Sequence, residues 1–360
     1  MIRIKQNDYA VVGLPWQHGI GKDVKDCHSS AEVMEKSKLD FSVAKCELYA
    51  RMPVMFDRAN DLKKGDFVAD NGVFSPCPNA YATYRTDKNI PLGVVKEQYT
   101  VIQNSDAFKF FDDAIGENKA QWQYAGYYGY GHKIFVTAKL PIDTDVNGDK
   151  IDNYLVFSNN HDGNGAVSIL FTPVRVFCLN CLQNATKKAA SFIKIRHTQS
   201  AKEKLELGAQ VLRVACENAV SAQELYNSLY KIKMSDDEVL KYLSSVVLSD
   251  AEQEAIKAYN PTAGLEKLIT RDFRTMEVCN ISTRKVNILN TMYDYYCYGI
   301  GQQDIKGNAW GAYNAVTGFY SNCGNYEGIK RFDSILYGTA DSNMRKALDL
   351  ALSTTLKVAV

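Results

Sequence analysis

Tyrosines and glycines alternate in the segment from residue 124 to residue 133, which ends in a histidine and a lysine. Glycine lets a flat ring approach the backbone closely, and each tyrosine ring can stack on any base with a gain of about 1–3 kcal/mol. A glycine-bent strand whose tyrosines pack on other elements is the alternative. The residues predicted to form a base-stacking surface are Tyr124, Tyr127, Tyr128, Tyr130 and Lys133.

Basic residues without acidic neighbours follow between Gly163 and Lys202. Grouped cations can neutralise phosphates, although an ordinary solvated face has the same composition. The whole chain has 42 basic and 41 acidic residues and a net charge of +1, so binding to nucleic acid must come from a local patch. For Arg175, the alternative is a buried ion pair with Asp87 or Asp162. The predicted phosphate contacts are Arg175, Lys187, Lys188, Lys194 and Arg196.

An enzymatic interpretation depends on His161, Asp162 and His197, which could hold a metal ion in a hydrolase or nuclease. A His-Asp dipeptide is a weak signal, because a catalytic pair is defined by its geometry in the fold. The sequence shows no nucleophile elbow, Walker A motif, zinc-protease motif or dinucleotide fingerprint. We therefore predict a non-enzymatic protein without a cofactor and keep these three residues as the catalytic alternative.

The nine cysteines are spread over a long chain, and their odd number does not suggest a disulfide framework. Cys178 and Cys181 have the spacing of half a zinc site, but no second pair of ligands follows at metal spacing. We expect both to be reduced thiols at the start of a helix, neither binding zinc nor forming a structural disulfide.

The pattern along the chain predicts an α+β fold, with a central antiparallel β-sheet of hairpins and flanking helices followed by a mainly helical C-terminal region. Two β-prone runs within 154–171 predict a hairpin with residues 159–165 at its tip. Pro173 lacks an amide donor, so Thr172–Arg175 is expected at the sheet edge. Capping boxes predict helix starts at Ser221 and Ser249.

The prolines in the stretch from Ser75 to Asn79 predict a turn or linker. The resulting regions are an irregular N-terminal segment that packs on the core (1–78), a β-rich core with helices (79–200) and a helical C-terminal region (201–360). With 46% hydrophobic and 23% charged residues, no long apolar run and no apolar core near Met1, we expect a cytoplasmic protein without membrane contact.

Several motifs occur in the order found in a known protein family. The chain resembles the phage/plasmid-like proteins that carry domain of unknown function 932, which are found in prophages, plasmids and mobile elements. Cys181 departs from the family pattern, in which threonine or methionine is common. The matching stretches are Trp16–Gly21, Tyr84–Asp87 with Leu92–Val95, Tyr99–Asn104, Ser158–Gly163, Phe171–Asn180, Ile195–Thr198 and Trp310–Val316.

The resemblance implies a role in the DNA metabolism of a mobile element inside a bacterial host cell. Our leading hypothesis is a protein that binds single-stranded DNA in recombination or replication, similar in outline to RecT/Erf-type annealing proteins. The alternatives are the metal-dependent nuclease or hydrolase and a protein that recognises a host component through its aromatic surface. A choice between DNA and RNA, and between a monomer and a homo-oligomer, stays open.

Overall fold

A computed structural model describes most of the chain in ranges separated by gaps. These residues form two antiparallel sheets followed by a helical region, which confirms the predicted α+β class. The described residues are 14, 16, 20–53, 64–69, 72–106, 108–109, 112, 120–175, 178–179, 192–198, 209–259, 264–323 and 327–358.

The larger sheet is an antiparallel meander whose middle strands follow one another in the chain. Its β-branched and aromatic residues favour strands because they pack well on a pleated surface. Asn147 and Gly148 have φ angles of 53° and 89°, the backbone of a tight hairpin turn. The strands in spatial order are β1 (Gly21–Asp23), β6 (Gln121–Tyr128), β7 (Lys133–Val146), β8 (Asp149–Asn160) and β9 (Val167–Arg175), with β10 (Cys178–Leu179) and β11 (Phe192–Ile195) both paired to β9.

The hairpin predicted for residues 154–171 is confirmed, because β8 and β9 pair across a tip of Asn, Asp and Gly residues. The edge position predicted for Thr172–Arg175 is wrong for Val174 and Arg175, whereas Thr172 and Pro173 pair with β8 alone among the described residues. Arg175 pairs with Cys178 of β10, so a further strand covers this end of β9. Cys178 therefore lies in a strand and not at the start of a helix, while Cys181, Lys187 and Lys188 lie outside the described residues.

The smaller sheet comes from the N-terminal part of the chain. The linker predicted from Ser75 to Asn79 is wrong, because these residues lie inside a strand, although residues 77–80 have no partner in the ladder with β2 and Asn79 has a turn-like φ of 53°. Pro76 pairs with Tyr49, and Pro78 lies among the extra residues of this strand where the ladder shifts register between Tyr49 and Glu47, a position that tolerates proline. The division at residue 78 stays a prediction. The strands are β2 (Val43–Pro53), β3 (Phe67–Ala69), β4 (Gly72–Arg85) and β5 (Ile90–Val95), and β4 pairs with each of the others.

The two sheets meet at the tip between β8 and β9. The hydroxyl of Thr83 on β4 donates to the carbonyl of His161 over 2.6 Å. A Cβ atom at Gly93 on β5 would lie 2.2 Å from the carbonyl oxygen of Asp162, so only glycine allows this approach. The tip is therefore held against the smaller sheet.

The helical region follows the sheets, as the sequence predicts. Within the described ranges, none of the helices combines the length and the apolar character needed to cross a membrane. The helices are α1 (Ser30–Ser37), α2 (Ala209–Lys231), α3 (Asp236–Val247), α4 (Asp250–Tyr259), α5 (Gly264–Ile269), α6 (Phe273–Val278), α7 (Thr283–Tyr298), α8 (Ala309–Asn322), α9 (Gly328–Tyr337) and α10 (Thr339–Val358).

The two predicted capping boxes have different outcomes. The box at Ser249 is confirmed: its amide donates to the Glu252 carboxylate over 2.7 Å, and its hydroxyl accepts from the Glu252 amide. The helix start predicted at Ser221 is wrong, because this residue lies inside α2. Ala222 and Tyr226 are fully buried there, so packing carries the helix through the motif.

Both faces of the larger sheet are covered by core residues. Neighbouring residues of β7 point to opposite faces, so Val136 belongs to one apolar cluster and Phe135 to the other. The Val136 cluster includes Trp310 of α8, and the Phe135 cluster includes Phe332 of α9. Helix α9 and the first half of α10 therefore pack on the Phe135 face, while the second half of α10 joins the Val136 cluster.

Candidate nucleic-acid interface

A cleft of about 740 Å³ lies on the Phe135 face of the larger sheet, between the strand ends and helices α9 and α10. This volume is within the range of sites for small organic ligands. We call it the tyrosine cleft, and its principal lining residues are Tyr128, Tyr130, Lys133, Ser158, Lys194 and Tyr337.

The register of the sheet explains why distant residues meet in the tyrosine cleft. Residues that pair directly across an antiparallel ladder have side chains on the same face. Ser158 and Asn160 are two positions apart on β8 and so also share that face. The two rows of paired residues are Tyr128–Lys133–Asn160 and Ser158–Ser168–Lys194.

Two of the predicted stacking residues are available at the cleft. Tyr128 is 48% exposed and Tyr130 is 61% exposed, both in or beside the turn between β6 and β7. The amide of Tyr130 donates to Nδ1 of His132 over 3.2 Å. Gly129, with φ of 62°, lies so close to that ring that a Cβ atom would be 2.4 Å from Nδ1. The glycine therefore lets the turn present both tyrosine rings.

The other two predicted tyrosines do not line the tyrosine cleft. Tyr124 is half-buried and packs on the Phe135 cluster, with Nζ of Lys25 5.3 Å from its ring centre. Tyr127 points to the opposite face and packs edge-on against Phe41 at 6.2 Å. The prediction that all four tyrosines form one stacking surface is therefore wrong for Tyr124 and Tyr127, which are held in core packing.

Lys133 lies in the cleft, but its charge is balanced. Its Nζ forms an ion pair with Asp333 of α9, and it lies 5.2 Å and 5.0 Å from the rings of Phe332 and Tyr337. Only 12% of the Lys133 side chain is exposed. A phosphate would therefore compete with Asp333 for this ammonium group.

Lys194 is the predicted phosphate contact that the structure places most favourably. It is exposed on β11, lines the tyrosine cleft and forms no ion pair with a carboxylate among the described residues. Arg196 is also exposed, just beyond the end of the strand, as the alternation of the sequence predicts. Lys187 and Lys188 lie outside the described residues, so their part in the patch stays a prediction.

Arg175 does not serve as a surface contact. It is 1% exposed, its Nε forms an ion pair with Asp149, and its Nη2 donates to the carbonyl of Gly301 over 2.7 Å. Trp310 also donates to Asp149 over 3.0 Å. The burial considered for Arg175 is confirmed, but its partner is neither Asp87 nor Asp162. Asp87 instead pairs with Arg85 at 2.7 Å.

The residues of the catalytic alternative are mostly buried. Nε2 of His161 donates to Oδ1 of Asn104 over 2.9 Å, and Nδ1 of His197 donates to the carbonyl of Thr100 over 3.0 Å. Burial, followed by the charge of His197, lowers the pKa of His161 to about 3. Asp162 lines the cleft, and both of its oxygens accept from Asn164. In the part of the chain that the structure describes, no three His, Cys, Asp or Glu residues are grouped to hold a metal ion.

Several residues of the tyrosine cleft have no signal in the sequence. Asp333 and Tyr337 come from α9, and Arg345 comes from α10. The Tyr337 hydroxyl hydrogen-bonds to that of Ser158 over 3.1 Å, and Arg345 forms an ion pair with Asp341. The first contact joins residues 179 positions apart, which a local pattern does not reveal, whereas the second lies within a single helix.

Comparison with known proteins identifies the family without assigning a chemistry. No curated protein and no solved structure matches the chain. One family model, described as a domain of unknown function, matches residues 91–348, which is more than half of the chain and includes the tyrosine cleft from Tyr128 to Arg345. The chain therefore belongs to the family of proteins that carry domain of unknown function DUF932.

Proposed function

We propose that this protein binds single-stranded nucleic acid in the tyrosine cleft. The observation that carries the proposal is the juxtaposition of two exposed tyrosine rings, Tyr128 and Tyr130, with the exposed ammonium group of Lys194. They come from segments more than sixty residues apart and meet through the register of the larger sheet. Aromatic rings beside a cation are the combination that unpaired bases and their phosphates require.

The cleft offers one group for each part of a nucleotide. A base can stack on Tyr128 or Tyr130, which contributes about 1–3 kcal/mol per base and does not depend on sequence. Lys194 can neutralise a phosphate, and Arg196, just beyond the end of β11, can neutralise a second one. Ser158 and Ser168 at the floor can donate to or accept from the sugar or the base edge.

The proposed cellular setting rests on the resemblance to proteins of phages and plasmids. An annealing-type role in recombination or replication of a mobile element would use sequence-tolerant binding of this kind. The protein would then act in the cytoplasm of the bacterial host cell. Direct contact with DNA or RNA is the part of this proposal that can be tested first.

Protein recognition is the second candidate, because the smaller sheet has an exposed apolar surface. Phe67 on the short edge strand β3 is 47% exposed, stacks on Phe74 at 5.0 Å and packs edge-on against Tyr49 at 5.2 Å. Val68 beside it is 62% exposed. Exposed aromatic groups at a sheet edge are typical of surfaces that contact another protein.

The test is fluorescence anisotropy with labelled 20-nucleotide single strands of DNA and RNA and with a duplex, each at several salt concentrations. We expect single strands to bind more tightly than the duplex. Tyr128→Ala should weaken binding about 5- to 150-fold with an unchanged salt dependence, because it removes stacking. Lys194→Ala should make the slope of log affinity against log salt shallower by about 0.7, because one phosphate contact is lost.

Matched controls separate the cleft from general surface effects. Tyr298→Ala removes a tyrosine that is 52% exposed on α7, and Lys150→Ala removes an exposed lysine of β8. Both should bind single strands as the unaltered protein does. Absence of binding at low salt, or equal losses in the cleft and control variants, would overturn the proposal in favour of protein recognition.

A further inference from the structure

A second cleft, of about 850 Å³, lies in the helical region between α7, α8, α9 and α10. It shares none of its residues with the tyrosine cleft. We call it the arginine cleft, because its described lining includes two arginines and no aspartate or glutamate. Its principal lining residues are Arg284, Asn287, Ile288, Phe319, Arg331 and Asn343.

Arg331 forms part of the wall of the arginine cleft from α9. Its side chain is buried, with 5% exposure, and its Nη2 donates to the carbonyl of Ser321 over 2.6 Å. Burial lowers the pKa of Arg331 to about 10, so the guanidinium stays charged at neutral pH in a poorly solvated place. An anion inside the cleft would stabilise this charge.

Arg284 stands at the mouth of the same cleft. It is exposed in the first turn of α7, a helix of 16 residues that begins with Ser282 as its side-chain cap. Thr339, the first residue of α10, also lines the cleft. The amino-terminal ends of helices carry partial positive charge, which adds to the field of the two guanidinium groups. Planar guanidinium groups match the paired oxygens of a carboxylate or phosphate.

The remaining lining is apolar and neutral polar. Ile288, Phe319 and Ile335 provide apolar surface, while Asn287 and Asn343 can donate or accept hydrogen bonds. A bare inorganic anion would leave this apolar surface in water. An occupant that covers it gains more, because burial of apolar surface is favourable.

We propose that the arginine cleft binds a small organic anion, with its carboxylate or phosphate group between Arg284 and Arg331 and its apolar or aromatic body against Ile288 and Phe319. Binding here does not depend on the nucleic-acid interface, since no residue is shared between the clefts. Success or failure of one proposal leaves the other unaffected.

The experiment uses Cys323, which lines the arginine cleft, as a local reporter. The full-length protein is alkylated with iodoacetamide, and the rate at each cysteine is followed by mass spectrometry. The probes are phenyl phosphate, benzoate, inorganic phosphate and the neutral molecule benzyl alcohol. Exposed Cys46 on β2 provides the internal control for reagent and probe effects.

We expect phenyl phosphate or benzoate to slow the alkylation of Cys323 at least fivefold in a saturable manner, with no change at Cys46. The organic anion that protects at the lower concentration identifies the preferred acid group. Inorganic phosphate should need at least a tenfold higher concentration, because it does not cover the apolar surface. Protection by benzyl alcohol equal to that by the anions, or no saturable protection by either organic anion, would overturn the proposal.

Two substitutions of exposed residues test whether the anion binds beside the arginines, and neither alters the buried core. Arg284→Gln and Asn287→Asp should each raise the concentration for half protection about tenfold, the first by removing a cation and the second by adding a repelling carboxylate. Arg274→Gln, which alters an exposed arginine of α6 outside the cleft, should leave protection unchanged. If Arg284→Gln and Arg274→Gln behave alike, the cleft does not recognise anions.

Discussion

The tyrosine cleft and the arginine cleft both contain cationic side chains, but the charges around those cations differ. In the tyrosine cleft, Lys133 is paired with Asp333 and Arg345 with Asp341, so Lys194 carries most of the available positive charge. In the arginine cleft, no carboxylate occurs among the described lining residues. Cations paired with carboxylates beside exposed rings favour stacking ligands, and two arginines beside an apolar wall without a carboxylate in the described lining favour small anions.

The larger sheet forms the tyrosine cleft together with α9 and α10, whereas the arginine cleft lies among helices alone, and a buried network connects the sheet to the helical region. Asp149 on the larger sheet binds Arg175 of the same sheet and Trp310 of α8, and Arg175 reaches the carbonyl of Gly301. If this network holds the sheet to the helices, a change at Asp149 should affect both clefts. A change inside one cleft should not affect the other.

The largest expected effect is that of Asp149→Ala on stability. Removal of one partner leaves the Arg175 charge buried, which costs about 3–5 kcal/mol of unfolding free energy. Urea unfolding followed by tryptophan fluorescence measures the change. Asp152→Ala on the same strand is the matched control, since its ion pair with Lys139 is exposed and worth at most about 1 kcal/mol. Equal losses in both variants would show that the buried network does not hold the two parts together.

The sequence predicts those elements of the fold that depend on residues close together in the chain. The hairpin of β8 and β9 was predictable because β-prone runs flank a tip of Asn, Asp and Gly. The capping motifs at Ser221 and Ser249 look alike in sequence, yet only the second begins a helix. The burial of Ala222 and Tyr226 decides the first case, and burial is a property of the whole fold.

The same limit applies to the tyrosine cleft. Tyr128, Tyr130 and Lys194 were predictable because their residue types and local spacing suggest stacking and phosphate contact. Whether the Lys133 cation is available depends on its partner, and that carboxylate is remote in the chain, because Asp333 is 200 residues from Lys133. A single sequence does not reveal such pairs, so only the structure shows which cations are already paired with a carboxylate.

Low pH should reduce the stability of the fold through His161, which is buried beside Asp162, a lining residue of the tyrosine cleft. The folded chain holds the pKa of His161 at about 3, against an ordinary value of 6.5. The unfolded chain therefore binds the proton first as the pH falls. The contribution of neutral His161 to the free energy of unfolding is fully present above about pH 6.5 and is lost as the pH falls towards 3. At pH 5 the free energy of unfolding is therefore about 2 kcal/mol lower than at pH 7.

The measurement is urea unfolding at pH 7 and pH 5 for the unaltered protein and for His161→Gln. Glutamine keeps a donor for the side-chain carbonyl of Asn104 but does not titrate, so its stability should change less between the two pH values. His28→Gln, at an exposed histidine, should retain the full pH dependence. A pH dependence that survives in His161→Gln would assign the effect to other groups.

The smallest expected effect comes from converting the charge balance of the tyrosine cleft into that of the arginine cleft. Asp333→Asn removes the carboxylate that pairs with Lys133 and keeps the shape of the side chain. The freed ammonium group can then bind a phosphate. Because the interaction with Asp333 is partly exposed, the gain is at most about 1 kcal/mol, or up to about fivefold in affinity for single-stranded DNA. The salt slope should become steeper by about 0.7, the value for one additional phosphate contact.

Asp349→Asn on α10 makes the same change in net charge at an exposed position outside the cleft and should leave the slope unchanged. A slope that steepens equally in both variants would mean that net charge, and not the cleft, controls binding; a slope that changes in neither would show that Lys133 does not reach the phosphate backbone.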